Sequence, residues 1–76
     1  MEHPGQIVFV DLEAGTERVA AVEEVPETIA FVEVEGVPVP VVRVESRKRG
    51  DLRVIRSYSA SGTCLQTTRQ APRKPR

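Results

Sequence analysis

The sequence predicts a small, mainly β fold: a single antiparallel sheet, or a partly open barrel, of about five strands. Three observations carry this reading. Turn residues Gly15, Pro26, Gly36, Gly50 and Gly62 recur every ten to fourteen positions, the spacing of short strands in a meander or small barrel. The runs between them hold most of the thirteen valines, which suit a pleated, half-buried surface. A chain of 76 residues buries only about 60% of its unfolded surface, so it supports one thin core and not two.

Taken in order, strands are expected near 6–12, 18–25, 28–35, 37–46 and 52–60. The second has an alternative, because Thr16 could cap one short helix near 17–25 that Pro26 then ends. The Glu35-Gly36 hairpin is specific enough to predict a register: Val34 opposite Val37, Glu33 opposite Pro38, Val32 opposite Val39, Phe31 opposite Pro40. In that register the two prolines lack only N–H groups that would point away from the partner strand, so 37–40 reads as a protected sheet edge. The alternation of Val32 and Val34 with glutamates slips between Val41 and Val42, as a bulge allows. A bent fourth strand would then pair its second half with 52–60, and Arg47-Lys48-Arg49-Gly50-Asp51 would form the tip of a second hairpin. Such a barrel resembles SH3-like or OB-like domains in strand number and spacing, an architectural likeness that implies no function.

After Tyr58 the apolar periodicity fades. Residues 1–5 are expected to be a flexible N-terminus, 6–66 a single β domain, and 67–76 a basic disordered tail too polar and proline-rich to pack.

The formal net charge is zero, but the charges are segregated. Residues 1–45 hold ten acids against Arg18 and Arg43, whereas residues 46–76 hold nine cations against Asp51 alone. The cations Arg47, Lys48, Arg49, Arg53, Arg56, Arg69, Arg73, Lys74 and Arg76, with the ring of Tyr58, are candidates for binding a partner or a phosphate backbone. Arg43 could extend that surface. Glu23, Glu24, Glu27, Glu33 and Glu35 are candidates for an acidic docking surface that seats in a basic groove of another protein.

Catalysis has little to draw on. The single histidine, His3, lies at an end expected to be mobile, and no nucleophile with an oriented base can be assembled from the remaining residues. No cofactor or metal is expected. His3 third from a free amino group could offer nitrogens to Cu(II) or Ni(II), but any such peptide has that property. Arg49-Gly50-Asp51 matches a cell-attachment tripeptide and is better read as a turn. Cys64 alone excludes an intramolecular disulfide framework, fits a reducing compartment, and reads as a semi-buried residue at a strand end. No signal pattern or membrane-length apolar run is present, so a cytoplasmic, non-membrane protein is expected. The shallow valine core leaves little room for a small-molecule substrate. The function expected is a non-catalytic protein-interaction module, an accessory subunit or inhibitor that docks on a larger protein or self-associates. The alternative is a nucleic-acid-binding small barrel that uses the 47–58 hairpin and the basic tail.

Overall fold

Four consecutive apolar residues, Ile7 to Val10, make the first strand, β1 (Gln6–Asp11), the element around which the chain is arranged in the computed structural model, which describes residues 3–71. A turn follows in which the Asp11 carboxylate accepts the N–H groups of Glu13 and Ala14 at 3.0 and 3.1 Å. It returns the chain as β2 (Thr16–Ala21), antiparallel to β1. Segment 17–25 is therefore strand and not helix through Ala21, and only Val22–Glu24 forms a 3-10 turn. The physical reason is pairing: backbone groups that a short isolated helix would leave unpaired are satisfied here along β1.

The helix lies further on. Pro26, with φ fixed at −57°, leads into one helical turn, α1 (Glu27–Ala30), which ends where Phe31 returns to extended backbone. The strand expected over 28–35 is thus shortened to β3 (Phe31–Val34). It pairs with β4 (Val37–Pro40) in the register predicted from the prolines, all four pairs included. Both turn residues, Glu35 at φ 51° and Gly36 at φ 83°, occupy the left-handed region that a two-residue hairpin of this hand requires. The chain then breaks at 41–42, where the alternation slips, and continues as β5 (Arg43–Arg49), which pairs antiparallel with β6 (Leu52–Tyr58). Gly50 takes the positive φ at that tip.

A strand not foreseen, β7 (Cys64–Gln70), pairs with β6 and carries a bulge at Leu65. Residues 67–70, expected in the tail, therefore belong to the sheet; 72–76 lie outside the described residues. The tail reading weighed missing apolar periodicity, but an edge strand that packs little needs none, and threonines favour it.

Among the described residues seven strands form two sheets: a five-stranded sheet in the order β2-β1-β5-β6-β7, and the β3–β4 pair apart. The large sheet is mixed, because β5 runs parallel to β1, and it does not close into a barrel. Parallel pairing demands a crossover. The chain leaves β2 at one edge, passes over β1 as the 3-10 turn, α1 and the β3–β4 hairpin, and re-enters on the far side as β5. That crossover layer covers one face of the sheet. There the core forms: Ile7 and Val44 from the sheet meet Ala30, Val32 and Val41 from the crossover, with Phe9, Val22, Val25, Phe31, Ile55 and Leu65 packed around them. Of Val32 and Val34, which alternate with glutamates along β3, only Val32 is buried.

Residues 3–5, which fall within the stretch 1–5 expected to be flexible, are held by contacts. The His3 ring accepts the Gly5 N–H on Nδ1 at 2.9 Å, which leaves Nε2 to donate to the Val41 carbonyl at 2.7 Å. Its ring edge also meets Phe31 with centroids 5.5 Å apart. Met1 and Glu2, which the copper-binding pattern also requires, lie outside the described residues. No helix among the described residues is long and apolar enough to cross a membrane.

Candidate nucleic-acid interface

Side chains alternate across a sheet, so the registers sort every strand residue onto one of two faces. Call the face under the crossover layer the covered face. It carries Arg18, Phe9, Val44, Ser57 and Gln66 in one row, then Thr16, Asp11, Ser46, Ile55 and Thr68, then Lys48, Arg53 and Gln70. The opposite face is open. Its rows read Val19, Val8, Arg43, Tyr58, Cys64; then Glu17, Val10, Glu45, Arg56, Thr67; then Arg47, Val54, Arg69; then Arg49 beside Leu52.

Five arginines thus share the open face of three adjacent strands: Arg43, Arg47 and Arg49 on β5, Arg56 on β6 and Arg69 on β7. At the standard rise and strand spacing they span a patch about 20 Å along the strands and about 10 Å across. The one carboxylate among them, Glu45, is bonded to Arg43 Nε at 2.8 Å. Arg47, Arg49, Arg56 and Arg69 have no ion-pair partner among the described residues. Val54, flanked across the strands by Arg47 and Arg69, is only 6% exposed although no second layer among the described residues covers this face. The aliphatic stems of long cationic neighbours account for such cover while their charged heads stay in water.

The predicted cation set is therefore divided. Arg47, Arg49, Arg56 and Arg69 stand together with Tyr58, and Arg43 joins them. Lys48 and Arg53 stand on the covered face, where Arg53 Nη1 donates to Ser46 Oγ at 3.0 Å. Strand parity separates them: Lys48 lies one residue from Arg47 and so points the other way. Arg73, Lys74 and Arg76 lie outside the described residues. Cys64, expected to be semi-buried, is exposed on the open face beside Tyr58.

The acidic set is also collected. The crossover stretch from Val22 to Val42 contains Glu23, Glu24, Glu27, Glu33 and Glu35 and no lysine or arginine. All five are exposed. Because the crossover lies on the covered side, these five glutamates and the five open-face arginines stand on opposite sides of the sheet. Glu24 also serves locally, accepting the Ala21 N–H at 3.2 Å.

A further feature escaped the sequence reading. On the covered face beyond the crossover lies an open groove of about 340 Å³ floored by Phe9, Val44 and Ile55, walled by Thr28 and Ile29 of α1, and fringed by Gln66, Thr68 and Gln70. The β7 side chains that line it belong to the strand the sequence did not reveal. A neighbouring hollow is lined in part by Phe9, whose ring carries the Arg18 guanidinium 5.8 Å from its centroid.

Comparison with known proteins gives no match: no family model, no curated protein and no solved structure matches this chain. The functional reading rests on the residues alone.

Proposed function

We propose that the protein is a non-catalytic binding module that takes nucleic acid on its open, arginine-bearing sheet face. One observation carries the reading: five arginines stand on the uncovered face of β5, β6 and β7, where the one carboxylate on those strands, Glu45, is already paired with Arg43. Phosphate backbones are bound by such arrays through release of condensed counterions, and guanidinium groups match phosphate geometry in a bidentate way. A non-catalytic role is supported by the engagement of His3, whose two ring nitrogens are both taken up by backbone groups.

Titration of the full chain with labelled oligonucleotides across a salt series tests this. With about four phosphates neutralised on a single strand, log K should fall against log salt with a slope near −3. Absence of binding at low salt to any DNA or RNA would remove the proposal.

The crossover layer supports a second reading, docking on a larger protein that presents a basic groove, because its five exposed glutamates lie in a stretch, 22–42, that holds no lysine or arginine. In that case charge reversal at Glu23, Glu24 and Glu27 would abolish the complex with that protein, and reversal of arginines on the open face would leave it intact.

A further inference from the structure

The open face is divided by polarity as well as charge. Its β5–β7 half holds the arginines, while its β1–β2 half presents Val8, Val10 and Val19, with Glu17 the acid among them. Val19 is 55% exposed. Leu12, of the same parity just beyond β1 and tied to the sheet by its N–H to the Ser46 carbonyl at 2.8 Å, is 47% exposed. Tyr58 stands across β5 from the valine half, in the row Val8, Arg43, Tyr58, with Arg43 between it and Val8.

We infer that the ligand is single-stranded nucleic acid, RNA or DNA, whose bases lie on Tyr58 and the valine half while its phosphates follow the arginines; this rests on the nucleic-acid reading above. A single strand is amphipathic in the same sense as this face, because unpaired bases expose flat apolar surfaces beside a charged backbone. A duplex hides those surfaces and is read by elements that enter a groove. The open face offers an uncovered sheet surface instead, with no helix or hairpin among the described residues packed on it. Its charge suits either ligand, but its apolar half has a use only when bases are free to stack.

Tyr58 is the only tyrosine and the chain has no tryptophan, so intrinsic fluorescence reports this one ring. The test titrates the full chain at low salt with dT20, rU20 and a mixed 20-base-pair duplex, following anisotropy of the labelled oligonucleotide and emission of Tyr58. Both single strands should bind at least tenfold more tightly than the duplex and quench Tyr58. Tyr58→Leu should weaken single-strand binding about tenfold, the order found for loss of one stacked base, and narrow the gap to the duplex. Tyr58→Phe keeps the ring and should preserve the gap. Equal affinity for single strands and duplex, with Tyr58 emission unchanged, would overturn the single-strand inference and leave arginine-based binding standing. No binding to any of the three would overturn both.

Discussion

Ile7 and Val41 are fully buried, one from the sheet and one from the end of the crossover, so each closes the gap between the two layers. In a domain of this size total stability is only a few kcal/mol. Ile7→Ala removes atoms that nothing else can replace and should cost about 2–5 kcal/mol, enough to leave much of the chain unfolded in a urea titration monitored by circular dichroism. His3→Ala is a milder test. It deletes an acceptor for Gly5 and a donor to Val41, and should lower stability by about 1 kcal/mol in the same titration; an unchanged midpoint would show that the N-terminal segment is not docked in solution. His3 was not legible as a structural residue, because its partners lie next door at Gly5 and 38 residues away at Val41. Nothing in the pattern of a terminal Met-Glu-His announces the second.

Among the elements, the β3–β4 hairpin was legible to the level of individual pairs, since its prolines tolerate only one register and its Glu-Gly tip fixes the loop length. The same prolines predict a behaviour. Pro38→Val restores an outward N–H on an exposed strand edge and should drive concentration-dependent association in sedimentation, with little change in unfolding midpoint; a monomer at every concentration would refute the edge assignment. The β5–β6 hairpin was readable in outline from Gly50 and the flanking strands, but Arg47, Lys48 and Arg49, expected in its tip, are strand residues paired with Val54, Arg53 and Leu52. What the sequence concealed were the relations between distant segments. Parallel pairing of β1 with β5 left one hint, the unbroken apolar run Ile7 to Val10, which suits a strand flanked on both sides better than a half-exposed edge. β7 left only its threonines. Its place in the sheet makes truncation informative: ending the chain after Gln70 should leave stability unchanged, whereas ending it after Gln66 removes most of the pairing to β6 and should lower the thermal midpoint by several degrees.

For the molecule as a whole, the sequence showed that acids precede cations, and the crossover turns that linear order into opposition in space. The acidic stretch is carried over β1 onto one side of the sheet, and every arginine of β5, β6 and β7 except Arg53 is left on the other. Which cations act together was hidden until registers were known, because Arg47 and Lys48 are neighbours in sequence and opposed in the sheet. That division supplies the most direct measurement of the central claim. Affinity for a single-stranded 20-mer near 0.15 M salt, where the Debye length is about 8 Å, should be compared between Arg47→Glu with Arg69→Glu on the open face and Lys48→Glu with Arg53→Glu on the covered face, two double variants of identical charge. The open-face pair should lose at least tenfold in affinity with a shallower salt slope, and the covered-face pair should stay within about twofold to threefold of the unaltered chain, since long-range repulsion is largely screened. Equal losses from the two pairs would contradict the account, because net charge alone would then govern binding and the face would have no part in it.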